Sequence, residues 1–517
     1  MYELTPTTAG PLGFRSLKKL HYRVFLIKCD TERCSRNFMY LGIDLGTMSV
    51  KVILVDDDLN CLATESSSLI VSRPQPLWSE QNPMDWWNAL NSAMQQLHTK
   101  FPNELKKVKV IGLAGQQHGA VILDDKNNVL RAAILWNDGR SSEECLALMN
   151  AVPNAMQIAG SIIMPGFTAP KVLWVKKHEP DIFKKINKIL LPKDYLRFLI
   201  SGDFATDMSD ASGTGWLDIE KRQWSNALLS ACDLSEKNMP KLFEGNAVTG
   251  KIKSVVAKNW GLSENVKIVA GAGDNAASAI SMGSVNSHTA YLSLGTSATF
   301  FIACEKYQPN PTAAIHTFCH AVPDYWHHMA VHLNGASTIT WITELFESDI
   351  AQLLSGKHAN NNVIFLPYLS GERTPHNNPH ASGVFFGINN STTKADMTMA
   401  VLEGTAFGIT LGYEALMQDP NLKTDEISVV GGGSRHDAWG IMFASALKRP
   451  LTYRKVREVG AAFGAAKLAW MSDFPSRLIA EPEVEKVLQP NEDLMLRYEK
   501  KHQQFKKLYH DIYAERI

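Results

Sequence analysis

Cysteine is scarce and badly placed for cross-linking. There are seven, at positions 29, 34, 61, 145, 232, 304 and 319, odd in number, scattered and without a C-x-x-C pair. Spacing of that kind suggests neither a disulfide framework nor a zinc site, and it fits a reducing cytoplasm. Long apolar runs are missing too: the longest candidate for a membrane span, around Tyr22 to Ile27, is short and interrupted. Neither charge sign is in excess, with 52 Lys plus Arg against 52 Asp plus Glu. The overall balance therefore gives no reason to expect a nucleic acid or a membrane as partner. A phosphorylated ligand would have to be held by a local site.

What is present is ample core material. Hydrophobic residues make up 45% and charged residues 20% of 517 positions, the mix of a folded protein too long for one ordinary core. Two large domains are the expectation. Residues 1–38 stand apart: Arg15, Lys18, Lys19, Arg23, Lys28, Arg33 and Arg36 outnumber three acids, and no periodicity is visible. They read as a non-native or upstream-start extension that is dispensable, because Met39 immediately precedes the first convincing strand. From there we expect a first domain over 39–258 and a second over 259–517, joined by a hinge near Lys253 to Ser263, with no low-complexity linker. The final helix, Asn491 to Tyr513, is free to pack back on the first domain.

From Tyr40 the chain reads as strand, turn, strand: Leu41 to Leu45, then Gly46-Thr47, then Val50 to Val55. An echo follows much later in Ala290 to Leu294, Gly295-Thr296-Ser297 and Thr299 to Ala303. Leu-Gly-Thr occurs at both turns, which points to a duplicated architecture with a cleft between the halves. Strands are also expected at Val108 to Ala114, Val266 to Ala272, Val363 to Pro367 and Ile427 to Val430. Helices are expected at Pro83 to Leu97, Asp396 to Met417, Asp437 to Leu447 and Gly460 to Met471.

A glycine turn after a strand exposes backbone N–H groups and lets a phosphate approach closely. Gly295 and Thr296 suit that purpose, as do Gly46 and Thr47, with the threonine hydroxyls as extra donors. Asp44 beside such a turn would repel a phosphate unless a cation stood between them, so it reads as a Mg²⁺ organiser acting through water. Gly431-Gly432-Gly433-Ser434 links a strand to a helix where a flat ligand can lie on backbone; a tight turn would explain it equally well, and it has neither a G-x-G-x-x-G nor a P-loop lysine. Gly271-Ala272-Gly273-Asp274-Asn275 ends a strand and opens a helix. Asp274 is there either an N-cap or a general base with small neighbours that leave room for a substrate. Gln116-Gln117-His118-Gly119 gathers donors and acceptors fit for polyol hydroxyls, and Trp136-Asn137-Asp138-Gly139-Arg140 adds an aromatic face and an Asp-Arg pair, which as a surface bridge would contribute little.

Gly166-Phe167-Thr168-Ala169-Pro170-Lys171-Val172-Leu173-Trp174-Val175 looks like one family signature. Gly383-Val384-Phe385-Phe386-Gly387-Ile388, followed by Asp396-Met397 and Ala400-Val401-Leu402-Glu403, looks like its second. From Met39 to about Met471 the chain thus resembles the FGGY carbohydrate kinases. Within them, Trp78 to Gln81, Gln116 to Gly119, Leu135 to Arg140, Pro165 to Lys171 and Leu191 to Leu196 are similar to the members that act on D-xylulose. The resemblance implies an α/β fold of two actin-like, hexokinase-like ATPase domains with ribonuclease-H-like cores around a central cleft. It implies ATP and Mg²⁺ as cofactors and D-xylulose as the sugar partner, and it is compatible with a homodimer. It also implies roles: Asp274 as catalytic base; Gln117, His118, Asn275 and Trp136 on the sugar; Gly295, Thr296, Gly432, Gly433, Ser434 and Thr47 on ATP; Asp44 at the metal. Gln117 departs from the Met common among those members, and Met48-Ser49 replaces the usual Ser-Gly. Sibling kinases for glycerol, gluconate or another ketose are the nearest alternatives; an Arg-Glu pair expected for glycerol is absent at Gln117-His118. An actin-like or chaperone-like ATPase is the alternative of a different class.

Overall fold

The structure, a computed structural model, describes residues 38–286, 289–356, 362–431, 433, 436–455, 460–475 and 481–513. The expected extension, 1–38, lies outside them except for Phe38. Two mixed sheets carry the chain. The first forms around Met39–Leu45, in which every residue but Asp44 is buried. Ser49–Asp56 returns antiparallel to it and Cys61–Ser68 follows antiparallel again. On the other side Val108–Gly115 runs parallel to the first strand, Lys267–Val269 lies parallel to that, and Val248–Lys251 closes the edge antiparallel.

The second sheet repeats the plan. Thr289–Leu294 pairs antiparallel with Ala298–Cys304, which pairs antiparallel with Trp326–His332. On its far side Glu426–Val430 and Leu451–Arg454 add in parallel and Val484–Leu488 ends the order antiparallel. One further strand, His316–Cys319, extends the near edge. The Leu-Gly-Thr echo therefore marks the same hairpin in both sheets, as the sequence led us to expect. Helix and strand positions also match, with bounds shifted by a few residues.

Lys253 to Ser263 is occupied by a helix, Ser254–Trp260, and the turn after it. Strands of the first sheet continue beyond it to Ala272–Gly273, which pairs with Val108–Gly115. The second sheet begins at Thr289.

A helix of the second half packs on the first sheet, and it is not the last one. Glu492–Tyr513 buries Tyr498, Phe505, Tyr509 and Tyr513 in the core of the second half, alongside Tyr368 and Phe407. Ala461–Asp473 instead crosses to the first sheet, packing with Tyr40, Val110 and Ala114 and with the helix Asp274–Met282. Its Ala-Ala-Phe-Gly-Ala-Ala run permits backbone contact. A Cβ on Gly42 would strike the carbonyl oxygen of Ala462, one on Gly112 that of Ala465, and one on Gly464 that of Ala277. Small residues are required at such crossings because nothing wider than hydrogen fits. This packing fixes the helix that begins at Asp274. Among the described residues no helix is long and apolar enough to cross a membrane.

Candidate active site

Gly273 supplies the N-cap of the helix Asp274–Met282, so Asp274 is its first helical residue and not the cap. The Asp274 carboxylate accepts from the backbone N–H of Asn275 (2.7 Å) and from Asn275 Nδ2 (3.0 Å). Those bonds and the helix N-terminus favour the charged form. Burial and the neighbouring charge of Asp44 outweigh them and push Asp274 up to about 7. Asp44 is itself pushed up to about 6 by burial, with Lys51, its partner across the hairpin, drawing it back. Asp44 Oδ1 is buried with no hydrogen-bond partner among the described residues.

Asp274 opens on a cavity of about 270 Å³ lined from both halves: Gln117, His118, Trp136 and Phe167 on one side, Ser293, Ser297, Thr299 and Arg373 on the other. His118 has φ +71°, uncommon for a residue with a side chain. The loop is held by Thr168 Oγ1 and Lys171 Nζ, both of which donate to the His118 carbonyl at 3.0 Å, while Lys171 also donates to Gly166 O (2.6 Å). The stretch Gly166 to Lys171 thus works as a clamp on the His118 loop. The imidazole stacks on Phe167 at 5.0 Å. Its Nδ1 lies 2.6 Å from Gly213 O and so carries the proton, and burial holds the ring neutral by lowering its pKa to about 3. Nε2 is left as an acceptor. Gln117 Nε2 donates to Ser209 O (3.1 Å), leaving its Oε1 as the cavity-side acceptor.

Thr47 sits at the first Gly-Thr turn, but its hydroxyl is otherwise employed than expected. It donates to Gln116 Oε1 (3.0 Å) and accepts from Trp136 Nε1 (3.0 Å). Its proton is spent inside the first half, and the bond instead orients Trp136, which remains 39% exposed and lines the cavity. The Asp138–Arg140 pair is likewise not a surface bridge. Asp138 is buried, accepts from Ser79 N, from Arg140 N and from two guanidinium nitrogens of Arg140, and the guanidinium lies 3.5 Å from the Trp78 ring centre.

The second Gly-Thr turn is open. A Cβ on Gly295 would meet nothing nearer than 3.6 Å, Thr296 and Ser297 are exposed, and the Thr296 carbonyl accepts from Gly335 N (3.0 Å) and Ser337 N (3.2 Å). Gly335 packs against this turn, with no room for a side chain: a Cβ would lie 2.7 Å from Ser297 C. Gly431 (φ +99°) and Gly433 close the same corner around Leu294. Gly432 and Ser434 lie outside the described residues. Sequence reasoning missed Gly335 and Arg373. An Asn-Gly pair before a helix and a Gly-Glu-Arg loop after a strand were the available signals.

Residues 39–281 match the N-terminal domain of the FGGY family of carbohydrate kinases and residues 290–472 its C-terminal domain. The chain is 45% identical over 483 residues to a xylulose kinase of Escherichia coli K12, covering 92% of this chain and 99% of that protein. It is 47% identical over 436 residues to a xylulose kinase of Klebsiella pneumoniae, covering 83% and 89%. The crystal structure of a xyloylose kinase from Brucella ovis superimposes with a TM-score of 0.89 at 42% identity, over 92% of this chain and 99% of that one. The chain belongs to the FGGY family of carbohydrate kinases.

Proposed function

We propose that this enzyme transfers the γ-phosphate of ATP to the 5-hydroxyl of D-xylulose, giving D-xylulose 5-phosphate and ADP. The observation that carries the reading is Asp274: a carboxylate held near neutrality, at the junction of the two halves, facing a polar cavity of sugar size. The named activity of the 45–47% identical relatives supports the choice of sugar.

In this reading the sugar lies against Gln117, His118, Asn275 and Trp136, and its terminal hydroxyl points at Asp274. The O5–H proton passes to the Asp274 carboxylate as the O5–P bond forms and the bond from phosphorus to the ADP oxygen breaks. A base with a pKa near the working pH is suited to that transfer. Phosphoryl transfer has a loose transition state, so alignment and charge stabilisation supply most of the acceleration. Gly295 and Thr296 would receive the phosphates through backbone N–H and hydroxyl donors, with Gly432, Gly433 and Ser434 beside the adenosine. Thr47 would act by holding Trp136. The orphaned Oδ1 of Asp44 suits a water-bound Mg²⁺, which would neutralise phosphate charge; with two carboxylates here and no cluster of three metal-ligating side chains among the described residues, water and phosphate would complete its shell.

A coupled ADP-release assay over ketoses and polyols, with the product identified by phosphorus NMR, tests this. D-xylulose should give the highest kcat/KM and a C5 phosphate. A higher value with glycerol, gluconate or another ketose would reassign the enzyme within its family.

A further inference from the structure

A pentulose phosphorylated at C5 must bind as the open chain, because ring closure onto its C2 carbonyl would consume that same hydroxyl. The free carbonyl oxygen then enters the cleft as an acceptor that carries no proton, and burying it without a donor is costly. The first-half groups around the sugar position, with Asp274 and Asn275, are neutral or negative, and each of their donor nitrogens makes a bond within the protein. Gln117 gives an N–H to Ser209 O, His118 gives its proton to Gly213 O, Trp136 Nε1 serves Thr47 and Asn275 Nδ2 serves Asp274. What they present are the acceptors Gln117 Oε1, His118 Nε2 and the Asp274 carboxylate and, as donors, only the second N–H of the Gln117 and Asn275 amides; with the hydroxyls of Ser293, Ser297 and Thr299 this set matches sugar hydroxyls and offers a carbonyl oxygen no charged donor.

Arg373 enters the same cavity from the second half. Among the described residues its guanidinium makes no ion pair or hydrogen bond. The adjacent Glu372 accepts on Oε1 from the backbone N–H groups of Leu333 and Arg373, each at 2.8 Å, and its charge acts on the guanidinium without an ion-pair contact. Its positive charge acts on His118 and His316, which line the same cavity. We propose that Arg373 donates to the C2 carbonyl oxygen of the open-chain ketose and so sets the preference for a ketose over the matching polyol. This rests on the ketose-kinase reading. Because Arg373 belongs to the second half and Gln117 and His118 to the first, the sugar itself bridges the cleft.

The test compares the parent, Arg373→Met and Arg373→Lys. kcat/KM is measured for D-xylulose, and the inhibition constant against it for the pentitol formed by reducing its carbonyl. Sites built to hydrogen-bond a substrate group typically discriminate by several orders of magnitude. Arg373→Met should lose roughly 10²-fold or more in kcat/KM for D-xylulose, change the pentitol constant by less than about tenfold, and leave the KM for ATP within about twofold. Arg373→Lys, which keeps the charge but not the planar fork, should fall between; it serves as the reading if the Met variant does not fold. Equal losses for ketose and pentitol, or a loss confined to ATP, would overturn the assignment. A parent enzyme that turned over no ketose would instead defeat the ketose-kinase reading itself.

Discussion

The negative charge of Asp44, whose Oδ1 is buried although the residue as a whole is only half-buried in the first strand, raises the proton affinity of Asp274, which a separate stretch of chain brings to the end of the same sheet. Burial is the larger cause and Asp44 the second. Two buried carboxylates that disfavour each other's charge are a place where a cation or a proton is welcome.

The pH dependence follows. Asp274 must be ionised to accept a proton, and its ionised fraction falls below about 7. kcat/KM for the sugar should therefore rise with pH and level off above that value, since this ratio reports the free enzyme. Asp44→Asn removes the second cause of the shift, so the acid limb of its residual activity should move to lower pH. A limb that stayed in place would show that the two carboxylates are not coupled.

The two glycine corners should respond in opposite ways. At Gly295 a methyl group meets open space, so Gly295→Ala should melt like the parent but raise the KM for ATP, because the methyl occupies the phosphate approach. At Gly431 the backbone has φ +99° and a Cβ would strike the Leu294 carbonyl oxygen. Gly431→Ala should lose about 2 kcal/mol or more of stability. Differential scanning calorimetry with ATP saturation curves separates them, and similar melting of both variants would contradict the packing described.

Gln117→Met removes a cavity acceptor and the bond to Ser209 while roughly keeping size. Losing one hydrogen bond of about 1 kcal/mol should raise the KM for sugar roughly fivefold, with the KM for ATP unchanged. Equal effects on both substrates, or none on either, would take this loop out of the sugar site.

Features that were legible before the fold was known were local ones. Leu45-Gly46-Thr47 and Leu294-Gly295-Thr296 each close a hairpin of buried strands, so pattern and turn chemistry coincide. Asp274 stood out through its small neighbours. What the sequence hid was created by topology. Arg373 reaches the cavity, and Gly335 the Gly295 turn, only because the second half folds around its sheet. Ala461–Asp473 is buried almost all round, so no polar stripe tells which half it faces. Thr47 reads from sequence as a phosphate donor, whereas in the fold Gln116 and Trp136 engage its hydroxyl. Asp138 and Arg140, adjacent charges in a turn, read as a solvated pair although Trp78 covers them.

Removing the strained carboxylate should also change stability. Asp274 has a folded pKa above its unfolded value, so protonation favours the fold: the contribution is full below about 4 and is lost as pH rises through about 7. Asp274→Asn should therefore melt above the parent at pH 8 and alike near pH 4. Melting curves in the absence of ligands at the two pH values decide it, and a lower melting temperature at pH 8 would contradict the burial of an unpaired charge.

The most direct test of the central claim is the rate of D-xylulose 5-phosphate formation by Asp274→Asn at saturating ATP and sugar, pH 8, with binding of both ligands verified by calorimetry. General base catalysis contributes roughly 10² to 10⁴ in rate, about 3 to 5 kcal/mol of transition-state stabilisation. The variant should bind both substrates and lose turnover by an amount in that range. Turnover near that of the parent would contradict the assignment of Asp274 as the proton acceptor.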